Sequence, residues 1–163
     1  MDTEASGFNT NETVAIIGLG LMGGSFARGL RRIGVKHIIA VDPDEKSLRQ
    51  AKQEGMVDEV YTTGSAALKR AEMIIFCTAS AVMIRFLAEH KAFFAPGAIV
   101  TDVAGIKGGT AEAIKALLPE GVDFIPGHPM AGREGKGYAM ASADIFNNAN
   151  YILVPMAENQ ENH

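Results

Sequence analysis

A glycine-rich turn that directly follows an apolar run limits this chain to very few folds. Residues 14–17 read Val-Ala-Ile-Ile, and Gly18, Gly20 and Gly23 follow in the spacing G-x-G-x-x-G. A helix-compatible stretch then continues to Arg32. A strand, this glycine pattern and a helix in that order predict a dinucleotide-binding turn. In such a turn the first glycine permits the tight bend, the second admits the pyrophosphate and the third lets helix and strand pack closely.

The start of the helix completes the predicted phosphate site. The first backbone N–H groups of a helix have no intrahelical partner and lie at its positive end, so they attract a pyrophosphate. We therefore expect five residues to bind a dinucleotide here: Gly18, Gly20, Leu21, Met22 and Gly23.

An acidic residue after the second apolar run favours NAD as the dinucleotide. The run 37–41 ends at Asp42, which lies 24 residues after Gly18, close to the roughly 20 residues expected for the acid that binds the adenosine ribose. A carboxylate repels a 2′-phosphate, so we expect NAD rather than NADP, although Lys46 and Arg49 keep NADP open. The alternative is an ordinary strand-to-helix turn in which Asp42 only caps a helix.

Length and composition exclude several classes of protein. With 163 residues, the chain fits one domain, and its net charge of −4 without a basic stripe gives no case for nucleic acid. No apolar run reaches the roughly 20 residues that span a bilayer. Cys77 is the only cysteine, so no internal disulfide is expected. We expect a cytoplasmic protein with a disordered leader at 1–12, a dinucleotide-binding domain at 13–155 and a polar tail at 156–163.

Apolar runs alternate with helical patterns along the whole domain, which predicts an α/β fold. The near-continuous apolar strands suggest a doubly wound, mostly parallel sheet (a Rossmann fold) with the ligand crevice at the carboxyl ends of the strands. A long loop is expected at 127–148 and is a candidate for function. Strands are predicted at 13–18, 37–41, 73–77, 98–102, 122–126 and 150–154, with a weak one at 60–61, and helices at 22–33, 44–54, 65–70, 80–93 and 109–118.

Two strand ends carry candidate site residues. After the run 73–77, Thr78 and Ala79 are expected beneath the nicotinamide ribose, while Ser80 either contacts substrate or only caps a helix that begins at Ala81. At the end of the run 98–102, Asp102 is expected to contact the cofactor. Lys107 follows it and either attracts a carboxylate or phosphate or is a solvated lysine.

A third segment holds the candidate base. His128 stands between Gly127 and Pro129, and the proline restricts the backbone of the residue before it. An unperturbed imidazole titrates near pH 6.5, which suits a general base at neutral pH. We therefore predict a catalytic role for His128.

These motifs together resemble the nucleotide-binding domain of the prephenate and arogenate dehydrogenases, oxidoreductases of tyrosine biosynthesis. The resemblance covers residues 13–155, and it is carried by the runs 18–25, 101–103, 106–108 and 127–132 with Glu134. It implies NAD-dependent oxidative decarboxylation of a cyclohexadienyl substrate, with His128 as the base and Glu134 near the pocket entrance. No metal site is expected.

The chain also departs from the family pattern. A serine that hydrogen-bonds the catalytic histidine in the family is replaced here by Gly105, so His128 has to be oriented by another group, such as Ser80 or a water. Arg133 stands where relatives often carry a small polar residue. The resemblance implies a helical second domain that makes the dimer and binds the ring carboxylate. We expect these residues to contain none of it, and therefore a homodimer or a partner helical domain and weak or no turnover by the chain alone.

Two other functions compete with this prediction. The β-hydroxyacid dehydrogenases share the opening glycine pattern, but they take their catalytic lysine from a second domain and do not suit the His128 loop. The other alternative is a non-catalytic module that senses NAD or regulates another protein.

Overall fold

The apolar runs form a parallel sheet, and glycine turns or short loops join them to helices. The computed structural model describes residues 8–105, 109–157 and 159. Within these residues the main sheet has six strands: β1 (Thr13–Ile17), β2 (His37–Val41), β3 (Glu59–Tyr61), β4 (Met73–Phe76), β5 (Ile99–Asp102) and β6 (Asp123–Phe124). They are parallel and follow the order β3-β2-β1-β4-β5-β6. This arrangement confirms the predicted doubly wound fold.

Alternate side chains of each strand enter two separate cores, because successive residues of a strand point to opposite faces. Val14 and Ile16 pack with helices α1 (Leu21–Arg32) and α2 (Glu45–Gln53) on one face. Ala15 and Ile17 pack on the other face with α3 (Ser80–His90) and α4 (Thr110–Leu117). Strands buried on both faces explain why the runs are continuously apolar.

The last predicted strand does not join the main sheet. Strand β8 (Tyr151–Leu153) instead pairs antiparallel with β7 (Gly127–Pro129), so that His128 lies opposite Ile152. The prediction of a continuous loop at 127–148 was therefore wrong for its first residues. An apolar run specifies an extended backbone but not the strand with which it pairs, and here the partner lies 24 residues away.

Several predicted helices and strands are shorter or of another type. The helix predicted at 65–70 is a 3₁₀ helix, Ala66–Arg70, and the one at 80–93 ends as α-helix at His90 and continues as the 3₁₀ turn Lys91–Phe93. The strand predicted at 122–126 pairs only at Asp123 and Phe124. Within 127–148, two further 3₁₀ turns occur, Tyr138–Met140 and Ala143–Phe146.

Residues next to both ends of the predicted domain contact it. In the segment before β1, the backbone N–H of Lys36 donates to the carbonyl of Thr10 over 2.9 Å. Beyond residue 155, Met156 packs against the core and the Asn159 amide donates to the carbonyl of Phe124. No helix among the described residues is long and apolar enough to cross a membrane.

Candidate cofactor and active site

The three glycines of the G-x-G-x-x-G turn differ in the space around them. Gly18 has φ +93°, and a Cβ there would lie 2.7 Å from the Thr78 methyl group. A Cβ on Gly23 would overlap the carbonyl oxygen of Gly18. In contrast, a Cβ on Gly20 would meet nothing within 4 Å. Gly18 and Gly23 are therefore required by packing, and the space beside Gly20 is open to a ligand.

Helix α1 presents its amino terminus to this turn. Gly20 is the residue before the first helical residue, Leu21, and as a glycine it has no side chain that could cap the helix. The N–H groups at the first helical positions have no intrahelical acceptor. The predicted phosphate-binding positions Leu21, Met22 and Gly23 thus lie together at the positive end of a 12-residue helix.

Asp42 joins the second strand to the glycine turn. Its carboxylate accepts hydrogen bonds from the backbone N–H of Leu19 at 2.6 Å and of Asp44 at 2.8 Å. The cap of α2 is Asp44, which accepts from Lys46 N, so the alternative in which Asp42 itself caps a helix is wrong. Asp42 lines the cleft described next and is placed to receive ribose hydroxyls on its remaining lone pairs.

A cleft of about 470 Å³ runs from Gly18 and Gly20 past Asp42 to the outer face of α3. Its far wall includes residues for which the sequence analysis predicts no contact with a ligand, among them His90. Most of them recur at helical spacing on α3, a pattern that indicates one face of a helix but not what that face lines. The additional wall residues are Thr62, Thr63, Val82, Arg85, Phe86, Glu89 and His90.

The segment after β4 forms the inner wall of the cleft. Cys77 and Thr78 line it, and Ala79 is the residue before α3. Ser80 is the first helical residue and makes no capping hydrogen bond, so the alternative role as a helix cap is wrong. The Thr78 hydroxyl is buried and has no hydrogen-bond partner among the described residues, which leaves it available to a bound molecule. Burial raises the pKa of the Cys77 thiol, so this thiol stays protonated at neutral pH.

The end of β5 lies next to this wall. Phe76 of β4 is in register with Asp102 of β5, and Val103 N donates to the carbonyl of Phe76. The Asp102 side chain is 3% exposed. One carboxylate oxygen accepts from Gly127 N at 3.2 Å and the other from Ala104 N at 3.3 Å. These bonds connect the end of β5 to the start of β7.

The predicted base, His128, lies beside the loop that follows β5, residues 103–105, which we call the β5 loop. His128 is half-buried on β7, and a Cβ on Gly105 would lie 3.2 Å from its Nε2 atom. Position 105 is therefore adjacent to the imidazole, as the family pattern implies. Among the described residues we find no hydrogen bond from Ser80 to His128. Glu134 is exposed, and Lys107 lies outside the described residues.

The residues in the cleft fit a dinucleotide. A helix amino terminus, an open glycine, an acid at the ribose position and an unpartnered hydroxyl lie in one groove. Within the described part of the chain, no group of three or more His, Cys, Asp or Glu side chains could hold a metal ion.

Comparison with known families identifies the family of the chain. Residues 26–163 match the model of the prephenate dehydrogenase nucleotide-binding domain. The chain belongs to this family. Prephenate dehydrogenase of Bacillus subtilis is 32% identical over 152 residues and that of Lactococcus lactis 31% over 150 residues. These alignments cover 88% and 91% of the chain but only 39% and 42% of the relatives.

Solved structures agree with this assignment. The structure of Synechocystis arogenate dehydrogenase is 33% identical with a TM-score of 0.83, covering 92% of this chain and 52% of that one. A prephenate dehydrogenase from A. aeolicus, in complex with hydroxyphenyl propionate and NAD⁺, is 26% identical with a TM-score of 0.86, covering 96% and 55%. The chain therefore spans about half the length of its relatives, and these relatives are dehydrogenases.

Proposed function

We propose that this chain supplies the cofactor site and the catalytic histidine for NAD-dependent oxidative decarboxylation of prephenate or arogenate. The observation that carries the proposal is the position of His128. It lies next to the β5 loop, which itself adjoins the Cys77–Thr78 wall of the dinucleotide cleft. A base at that point would face a substrate bound beside the cofactor.

The cofactor proposal rests on the residues of the cleft. Gly18, Gly20, Leu21, Met22 and Gly23 would hold the pyrophosphate, and Asp42 would receive the adenosine ribose. Because Asp42 lines the cleft as a carboxylate, a 2′-phosphate would be repelled, which favours NAD. Arg49, which kept NADP open, pairs with Glu45 at 3.0 Å. Thr78, Ala79 and the backbone beside Asp102 would border the nicotinamide half.

The proposed chemistry needs mainly orientation and one proton acceptor. His128 would accept the proton of the ring hydroxyl as the carbon that bears it is oxidised. Bound NAD⁺ supplies the hydride acceptor. Loss of the ring carboxylate as CO₂ then sends its bonding electrons into the ring, and the proton returns to the oxygen, giving a phenol. Aromatisation provides the driving force, so the protein contributes positioning above all.

Three further parts of the proposal concern substrate and partners. Ser80 and Glu134 would contact substrate, with Lys107 attracting its carboxylates. We propose that the chain acts in the cytoplasm, as a homodimer or with a helical partner domain. The alternatives are less well supported. The His128 loop does not suit a β-hydroxyacid dehydrogenase, and the position of His128 beside residue 105 argues against a non-catalytic module.

Calorimetric titration of the purified chain tests the proposal. We expect NAD to bind, NADP to bind at least about tenfold more weakly, and Asp42→Asn to reduce that difference. Prephenate and arogenate are then added to the NAD-loaded chain, with His128→Gln as the matched variant. His128→Gln should bind NAD as the unmodified chain does, but lower any turnover by about 10²-fold or more. Absence of NAD binding would refute the cofactor site, and equal turnover by His128→Gln would refute the base.

A further inference from the structure

A buried carboxylate connects the two backbone segments that border the candidate base. Asp102 ends β5 and is almost fully buried. Its two oxygens accept hydrogen bonds from Ala104 N and Gly127 N. Ala104 precedes Gly105, which lies against the imidazole, and Gly127 precedes His128 itself. One side chain thus holds the backbone on both sides of the ring.

We propose that Asp102 is the residue that positions His128. The proposal rests on the assigned role of His128 and concerns how that ring is oriented when position 105 has no side chain. The backbone N–H of Gly127 fixes the start of β7, and the N–H of Ala104 fixes the approach of the β5 loop. With both held by one rigid carboxylate, the imidazole has a defined place relative to the cleft.

The packing around Gly127 supports this role. A Cβ at Gly127 would lie 2.7 Å from the Tyr151 hydroxyl and 2.9 Å from the carbonyl oxygen of Asp102. Strand β7 therefore lies directly against the end of β5 with no side chain between them. Because the Asp102 carboxylate is buried, its hydrogen bonds to Gly127 N at 3.2 Å and Ala104 N at 3.3 Å are shielded from competing water. The bond to Gly127 thereby constrains the position of the next residue, His128.

The carboxylate of Asp58 provides a control on the far side of the sheet. Asp58 also accepts a backbone N–H of a strand, that of Ile38, at 2.7 Å, and it pairs with Arg31 at 2.7 Å. Replacing Asp58 by Asn should therefore weaken a carboxylate-to-backbone bond and an ion pair of the β2–β3 region without affecting His128.

Nuclear magnetic resonance of the full chain tests the proposal without requiring activity. The imidazole signals of His128 are assigned with His128→Gln, and their shifts and pH titration are compared in the unmodified chain, Asp102→Asn and Asp58→Asn. We expect Asp102→Asn to change the His128 shifts and titration midpoint and Asp58→Asn to leave both unchanged. Unchanged His128 signals in folded Asp102→Asn, or equal changes in both variants, would overturn the proposal.

If Asp102→Asn does not fold, hydrogen exchange of backbone amides in the unmodified chain provides a second test. We expect the amides of Ala104 and Gly127 to exchange at least roughly tenfold more slowly than the exposed amide of Gly132, as a hydrogen bond to a charged group implies. Exchange as fast as that of Gly132 would refute the proposal. Because neither readout depends on NAD or substrate, failure of the proposed function would leave these results interpretable.

Discussion

The two halves of the sheet are covered differently on the face that α1 occupies. Over β1–β3 this face is closed by α1, α2 and the loop around Tyr138, which is 1% exposed. Over β4–β6 the same face is an open cleft of about 450 Å³. Its walls are almost entirely apolar: Phe8, Phe26, Leu30, Ile33, Met73, Ile75, Ile99, Thr101, Ile125, Tyr151 and Leu153.

In the closed half, a buried tyrosine and an ion pair stabilise the contact of the Tyr138 loop with α1 and α2. The Tyr138 hydroxyl donates to Glu54 at 2.8 Å, and Arg28 lies 5.0 Å above its ring while pairing with Glu54 at 2.7 Å. Burial, together with the bond to Glu54, raises the pKa of Tyr138. Equal hydrophobicity along the strands therefore does not produce equal cover, because cover depends on which later segment reaches each strand.

The largest expected effect comes from truncating the same side chain in each half. Ile38 is 0% exposed in the closed half and Ile33 is 57% exposed at the cleft. Ile38→Ala should lower the free energy of unfolding by about 3 kcal/mol through lost burial and a cavity, and Ile33→Ala by about 0.5 kcal/mol or less. Urea denaturation measures both. Equal losses would show that the cleft is covered in solution.

A second pair of variants probes how closely the Tyr138 loop lies on α1. A Cβ at Gly24 would lie 2.7 Å from both the Tyr138 ring and the Ala141 methyl group, whereas one at Gly29 would be 3.8 Å from Phe146. Gly24→Ala should cost about 1–3 kcal/mol through overpacking. Gly29→Ala should stabilise the helix by about 0.5–1 kcal/mol. Thermal melts of the two variants should therefore shift in opposite directions, and a stabilised Gly24→Ala would contradict the close packing.

The smallest effect concerns the polar network at the β3 edge of the closed half. Glu59 accepts from Arg70 and Tyr61 and contacts the His37 ring at 2.7 Å, and these bonds, with that of Arg70 the largest, lower its pKa from 4.5 to about 2. A lowered folded-state pKa means that the unfolded chain takes up the proton first. The stabilisation is therefore complete above about pH 5 and is lost as the pH falls through 4.5 towards 2.

Glu59→Gln should lower stability at pH 7 by about 1 kcal/mol, and the difference from the unmodified chain should shrink between pH 5 and 2. Glu45→Gln is the control, because its exposed pair with Arg49 should contribute about 0.5 kcal/mol or less. Denaturant midpoints across this pH range give the comparison. A Glu59→Gln difference that does not depend on pH would contradict the lowered pKa.

Much of the cofactor half could be predicted because its signals are local. Gly18, Gly20, Gly23 and Asp42 lie within 25 consecutive residues. Packing in the turn requires Gly18 and Gly23, Gly20 leaves space for a ligand, and Asp42 accepts from the backbone of the same turn. The far wall of the cleft was not predicted from the sequence. Thr62, Phe86 and His90 reach it only through the packing of α3 and of the segment that follows β3. The pairing of β7 with β8 was missed for a similar reason, because long-range strand pairing leaves no local pattern.

The order of strands and helices along the chain and the glycine turn could be predicted from the sequence, since these depend on hydrophobic periodicity and local backbone preferences. His128 could be selected from its place between Gly127 and Pro129 and from the family resemblance. That Asp102 binds the backbone on both sides of the imidazole, and that half of one sheet face is open, became visible in the folded structure alone. Asp102 and Gly127 lie 25 positions apart. Unlike the interval from Gly18 to Asp42, which belongs to a recurrent motif, this contact follows from how the helices and strands pack, and no motif in the sequence encodes it.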